Sequence, residues 1–423
     1  MKTLIIHVGA PKCGSTSIQD FFKTYKNPCT QKTGFIFPSL QMIESLNSKK
    51  KIDHKGFIDL LDKSLKLNDS LILSHELFFL LPNVIETICS LSSSKVSKII
   101  IIGFSRRSSD FIVSLYNELT FTDTYINKVS KKIMLKNGIN PLHFFGVERL
   151  LILTILNGHS NLELPVIKLD LPTVLKLELP TIMKWDNFYN QIEKLVAKYK
   201  VKMRIGILPN NSSSDALIQD FCKKADLTLK DKYKTIDIKS NPKFNSHLTE
   251  SINNALDLGF KVPGLYEEDN VYHDISKLIN NNIDFNSTLL NPLKEYIDSY
   301  FYESNLDFCN KYDLDKSYFA ATKKYSKNEI LDIIRNEMQD RITNNTMLSN
   351  YKELNGILTE VIFYYNKKNT LNIEQIELLT QKVELLTQKI KTETEPKKLS
   401  GIKLLWNNTP ESIRRIGRKI LGI

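Results

Sequence analysis

Ile5-Ile6-His7-Val8-Gly9-Ala10-Pro11-Lys12-Cys13-Gly14-Ser15-Thr16-Ser17-Ile18-Gln19 is the stretch on which the reading of this chain turns. The apolar run Leu4 to Val8 predicts a buried strand, Gly9 to Gly14 a tight turn, and Ser15 onward a helix that opens on hydroxyl-bearing residues. Backbone N–H groups at a helix start have no partner within the helix and carry the positive end of its dipole. An anion the size of a phosphate is therefore the natural occupant of such a turn.

Spacing distinguishes between phosphate loops. In the nucleotide triphosphatase pattern G-x-x-x-x-G-K-[ST], a lysine follows the second glycine; Gly9 and Gly14 have that separation, but Ser15 stands where the lysine belongs. The lysine lies inside the turn instead, as Lys12. Two further apolar runs repeat the polarity of the first. Ser70-Leu71-Ile72-Leu73-Ser74-His75-Glu76 and Lys98 to Phe104, followed by Ser105-Arg106-Arg107, both read as strands that end in polar residues. Helical patterns at Thr16 to Tyr25, Phe57 to Leu67, Pro82 to Leu91 and Ser109 to Leu119 alternate with these strands, and Gly34 to Pro38 reads as a short edge segment. That alternation predicts an α/β fold, a parallel sheet flanked by helices. Ligands of open parallel sheets bind beyond the carboxyl ends of the strands, so the glycine turn, Glu76 and Arg106 are expected to face one crevice.

The run Pro11-Lys12-Cys13-Gly14-Ser15-Thr16-Ser17 resembles the P-K-x-G-[ST]-[ST]-[ST] loop of sulfotransferases that use 3′-phosphoadenosine 5′-phosphosulfate (PAPS). The resemblance implies a P-loop-like sheet and a loop that holds the 5′-phosphosulfate. Lys12, Cys13, Gly14, Ser15, Thr16 and Ser17 would form the cradle, with Lys12 as the cation that offsets charge on the leaving oxygen. Ser105-Arg106-Arg107 through Ser114 resembles the family's second motif, an arginine at a strand end followed eight residues later by serine. Arg106 and Ser114 then bind the 3′-phosphate, with Arg107 the alternative if the strand runs one residue longer. Where the family often has proline two residues after the arginine, this chain has Ser108.

Ser74-His75-Glu76-Leu77-Phe78-Phe79 resembles the K-E-x-x-F-F segment of glycan sulfotransferases, which makes Glu76 the candidate base. His75 replaces the family's lysine and is the rival base. The R-K-G segment of small-molecule sulfotransferases is absent, which points to the glycan-modifying branch, with a surface polysaccharide or glycolipid as acceptor and no metal required. Glu303-Ser304-Asn305 loosely resembles a segment near the end of bacterial members. Two other functions fit a phosphate turn: a P-loop nucleotide kinase or ATPase, and a non-catalytic nucleotide-binding scaffold. His7 reads as a core histidine and Trp185 as core packing.

Later segments carry weaker signals. Asn140 to Tyr199 reads as mostly helical, broken by the proline-punctuated stretch Pro165 to Pro180; Val201 to Leu208 predicts a strand and Ser212 to Lys224 a helix. The expected organisation is a sulfotransferase-like domain over 1–325, a helical extension over 326–395 and a basic tail over 396–423. Within the extension, Glu377 to Val383 recurs almost unchanged as Glu384 to Ile390, a coiled-coil signal of about two heptads that would serve a homo-oligomer through 373–390. The helix expected over 409–421 is basic and amphipathic, suited either to an anionic membrane surface or to packing on its own domain.

Composition bounds the rest. With 423 residues and 42% apolar content the chain is globular. The net charge of +11 is concentrated in the tail, where seven basic residues from Lys397 to Lys419 face Glu411 alone. Five scattered cysteines without a C-x-x-C pair suggest neither a disulfide framework nor a zinc site. With no leader expected before the first strand and no run long enough to span a bilayer, a cytoplasmic protein, at most peripheral at the inner face of the membrane, is expected. Nucleic acid is not an expected partner.

Overall fold

The computed structural model describes residues 2–10, 12–48, 54–119, 132–156, 163–165, 176–178, 184–208, 214–233, 251 and 288–343. The 373–390 repeat, the 396–423 tail and Pro11 lie outside the described residues.

Strands β1 (Thr3–Val8), β2 (Thr33–Ile36), β3 (Ser70–His75) and β4 (Lys98–Ser105) follow one another along the chain. A short antiparallel pair, β5 (Glu163–Pro165) and β6 (Lys176–Glu178), occupies the proline-punctuated stretch. β7 (Val201–Ile207) completes a five-stranded sheet of order β2-β3-β1-β4-β7 in which every pairing is parallel. The fold is thus α/β, a parallel sheet flanked by helices.

The isoleucine run Ile99 to Ile102 explains why β4 sits inside the sheet: all four are buried, and β-branched side chains on both faces suit a strand covered on both sides. β1 lies between β3 and β4, with Ile5 opposite Ile72 on one side and Ile100 on the other. The chain leaves β1 toward the β2 edge and leaves β4 toward β7. The order of the strands therefore reverses between the tips of β1 and β4, the place where an open parallel sheet forms its binding crevice.

The helices follow the sequence signals closely. Ser15–Thr24, Lys55–Leu67, Pro82–Ser92 and Ser108–Leu119 each lie within two residues of the periodicity that predicts them. Leu40–Asn47, which periodicity alone did not suggest, is started by Ser39, whose hydroxyl accepts the Met42 N–H at 3.3 Å.

Contacts divide the chain into two interleaved units. The first, Met1–Phe111, His159–Asn241 and Ile297–Lys323, contains the parallel sheet. The second comprises Ile112–Gly158, Pro242–Tyr296 and Lys324–Ile423. In it, the helix Gly146–Leu156 buries Leu150, Leu151, Ile152, Leu153 and Ile155. Arg341, on the helix Lys327–Thr343, grips Glu148 with two parallel bonds of 2.8 Å. Glu148 is nearly inaccessible, so the fork geometry and the Phe145 N–H at 2.9 Å offset the cost of burying its charge.

Candidate functional site at the strand tips

The turn after β1 is tight because its backbone bonds to itself. Ala10 N–H donates to the Val8 carbonyl at 3.0 Å and Cys13 N–H to the Ala10 carbonyl at 3.1 Å. Closing the turn puts Gly14 at φ 83° and Lys12 at φ 59°, both left-handed. Glycine adopts that conformation freely, whereas lysine does so at a cost of about 1–2 kcal/mol. Strain of this kind held in a rigid loop marks a place worth examining for function.

Gly14 stands at the N-cap of the helix Ser15–Thr24, and no side chain caps that end. Ser15 Oγ, in the first turn, donates to Glu76 Oε1 at 2.6 Å. Gly9 permits this contact: a Cβ there would lie 2.8 Å from Ser15 Cβ and 3.7 Å from Glu76 Cγ. The tip of β3 is in this way tied to the turn after β1.

Arg106 ties in the third strand. Its Nη1 donates to the Lys12 carbonyl at 3.2 Å, across the point where strand order reverses. The Arg106 carbonyl accepts the indole N–H of fully buried Trp185 at 2.9 Å. Among the described residues no carboxylate lies within ion-pair distance of the Arg106 guanidinium. Lys12, Glu76 and Arg106 are thus brought together around one loop, as their positions at neighbouring strand tips require.

Cys13 reports that grouping electrostatically. Burial pushes its thiol up to about 12, with Arg106 pulling it down and Glu76 pushing it further up. It is a packed thiol, not a nucleophile. Thr16 is half-buried and Ser17 buried in the first turn of the same helix. Ser114 lies on the helix Ser108–Leu119, in the part that belongs to the second unit.

The two arginines have different duties. Arg107 pairs through Nε with Asp298 Oδ2 at 2.6 Å and donates through Nη2 to the Ala320 carbonyl at 3.0 Å. Asp298 also accepts the Ser109 N–H at 2.9 Å and its hydroxyl at 2.7 Å, so a residue from far along the chain caps the helix that follows β4. Burial raises the Asp298 carboxyl above its ordinary range, opposed by Arg107 and Ser109. Asn305, of the Glu303-Ser304-Asn305 segment, donates to Ser108 Oγ at 3.3 Å. The turn at Ser108 is therefore held by buried polar contacts from the helix Leu290–Tyr312.

His7 and His75 are both packed. His7 Nδ1 lies 2.8 Å from Ser74 Oγ, which accepts the Gln19 amide at 3.2 Å. Ser74 Oγ thus joins the His7 ring and the Gln19 amide in one buried polar cluster. The ring stands edge-on to Phe104 and Phe221, and burial lowers its pKa to about 3. His75 Nδ1 accepts the Leu77 N–H at 3.0 Å while the ring stacks on Phe37 at 4.5 Å. Burial first, and then the Lys23 charge, lowers its pKa to about 4. His75 is neutral at physiological pH, with its basic nitrogen already occupied.

Two neighbours of Arg106 escaped sequence reasoning. Trp185, for which core packing is the default reading over stacking on an adenine or a sugar, is buried, and its indole also fixes the Arg106 carbonyl. Tyr318 reaches the Arg107 N–H from 211 positions away, a separation over which periodicity and spacing carry no signal.

Among the described residues no group of three or more His, Cys, Asp and Glu is placed to hold a metal, and no helix is long and apolar enough to cross a membrane. All five cysteines are free. No family model matches the chain, and no curated protein matches it. Among solved structures, a sulfotransferase from Alicyclobacillus acidocaldarius is similar over 61% of this chain and 94% of its own, at 10% identity and a TM-score of 0.30. The parallel strand order, rather than that likeness, establishes the α/β fold.

Proposed function

We propose that the chain is a sulfotransferase that moves the sulfuryl group of PAPS to a hydroxyl of a glycan. The observation that carries the reading is the reach of Arg106 to the Lys12 carbonyl across the switch point of the sheet. A guanidinium without a carboxylate partner among the described residues is thereby set against a turn that opens a helix with no side-chain cap. Both features suit a ligand with two separate anionic groups.

In this reading the backbone from Cys13 to Ser17 and the Lys12 ammonium hold the 5′ end of the donor, and Arg106 holds its 3′-phosphate. PAPS supplies a sulfuryl group already activated by its anhydride bond. Lys12 offsets the negative charge that gathers on the bridging oxygen as the S–O bond to the nucleotide breaks. Glu76 takes the proton of the acceptor hydroxyl while that oxygen bonds to sulfur. Glu76 suits the role better than His75, because the His75 nitrogen that would accept a proton is engaged by the Leu77 N–H. Its bond from Ser15 orients the carboxylate toward the loop.

A glycan acceptor follows from the Glu76-Leu77-Phe78-Phe79 segment and its likeness to glycan sulfotransferases. The test is transfer of labelled sulfate from PAPS to glycans of the producing cell. Glu76→Gln keeps the shape and the Ser15 contact and removes the base, so transfer falls by a factor of about 100 to 10,000 with donor binding intact. Unchanged transfer in the variant removes Glu76 from the mechanism, and no transfer by the unaltered protein removes the reading.

A further inference from the structure

Tyr318 sits on the turn Lys316–Phe319, which is fixed at three points. Asp315 caps it, accepting the Ser317 N–H at 2.9 Å and the Ser317 hydroxyl at 2.7 Å. Phe319 is buried edge-on against Phe308. Arg107 Nη2 holds the next carbonyl, that of Ala320, at 3.0 Å.

This anchoring directs the phenol at the end of β4. Tyr318 Oη accepts the Arg107 N–H at 3.4 Å, and that nitrogen is bonded directly to the Arg106 carbonyl carbon. The hydroxyl therefore stands beside the Arg106 backbone on one side, as the Trp185 indole does on another. Its oxygen faces the main chain, and among the described residues no acceptor takes its proton. Burial above all pushes the phenol up to about 12, with the Arg107 N–H and the Arg106 charge pulling the other way. The group is a neutral O–H donor throughout the physiological range, next to an arginine that lacks a carboxylate partner among the described residues.

We propose that the Tyr318 hydroxyl donates a hydrogen bond to the phosphate monoester held by Arg106, and so helps the site select a nucleotide that carries a 3′-phosphate. This inference rests on the donor-binding reading above and extends it to a residue that no loop or strand motif contains. A neutral donor is well suited there: it adds a bond to the anion without placing a second cation against Arg106, and its fixed turn removes the cost of ordering it on binding.

Tyr318→Phe keeps the ring and its contact with Phe319 and deletes only the hydroxyl. Calorimetric titrations of the full chain with adenosine 3′,5′-bisphosphate and with adenosine 5′-phosphate provide the test. The unaltered protein prefers the bisphosphate. In Tyr318→Phe, affinity for the bisphosphate falls about tenfold while affinity for the monophosphate stays within about twofold, the loss expected for one hydrogen bond to a charged group. A general disturbance of the site would lower both affinities together, so equal loss for the two ligands, or no loss for either, overturns the role of Tyr318 and leaves the donor reading standing. An unaltered protein with no preference for the bisphosphate overturns the donor reading and this inference with it.

Discussion

Acidifying the solution from pH 7 to pH 5 is expected to weaken the sheet-bearing unit through two histidines, and His7→Phe measures the share of one of them. Unfolded histidine titrates near 6.5, whereas burial holds His7 at about 3 and His75 at about 4. Between those values the unfolded chain binds protons that the folded chain refuses, so stability is present above pH 6.5 and is lost as pH falls. For a single histidine held unprotonated, the loss between pH 7 and pH 5 is about 2 kcal/mol, with a slope near 1.4 kcal/mol per pH unit below pH 6. Both rings are almost inaccessible, so solvent screening discounts this little.

Other groups add to the raw slope. Asp298, raised by burial, contributes with the opposite sign as pH rises through its own range. The informative quantity is therefore the difference between His7→Phe and its parent. Phenylalanine retains the aromatic contacts with Phe104 and Phe221, and Ser74 keeps its bond from Gln19. Urea unfolding followed by the fluorescence of buried Trp185, in a Trp406→Phe background that silences the second tryptophan, reads the relevant unit. The variant should lose about 2 kcal/mol less than its parent between pH 7 and pH 5. Identical pH dependence in the two proteins would refute the claim that His7 is held unprotonated by burial.

The glycine loop makes two opposite predictions. Lys12→Gly relieves a left-handed residue and should leave unfolding stability unchanged or raised by up to about 1 kcal/mol, while sulfate transfer falls at least about a hundredfold with loss of the cation. Gly14→Ala should cost about 1–2 kcal/mol in urea unfolding, because its φ of 83° disfavours a side chain and a Cβ there would meet Leu217 Cδ2 at 2.4 Å. A stability loss in Lys12→Gly, or none in Gly14→Ala, would contradict the strain argument.

Much of this architecture is legible in the sequence, and what is not shares a physical cause. Apolar runs such as Ile99 to Ile102 declare a doubly covered strand, and the polar residues that end them declare its tip. The Gly9 to Gly14 turn announces itself by residue type alone. Sequence left Arg106 and Arg107 as alternatives, since either could end β4, and it carried no sign that Arg107 contacts Asp298 and Ala320, partners that lie far along the chain. The same distance hides Tyr318 and the clamp from Trp185. The helix Leu40–Asn47 is short enough that its apolar spacing does not stand out from a loop. Local pattern thus reaches the strands and the turn between β1 and its helix, while contacts made by distant segments depend on the packed fold.

The account rests on an anion site shared by the turn after β1 and the tip of β4, and calorimetry on the unaltered protein and Arg106→Gln tests it most directly. Adenosine 3′,5′-bisphosphate should bind the unaltered chain more tightly than ATP with magnesium, and Arg106→Gln should weaken the bisphosphate by about a hundredfold or more, as expected for loss of a fork of charge-assisted bonds. Preference for ATP with magnesium, or full affinity for the bisphosphate in Arg106→Gln, would contradict it.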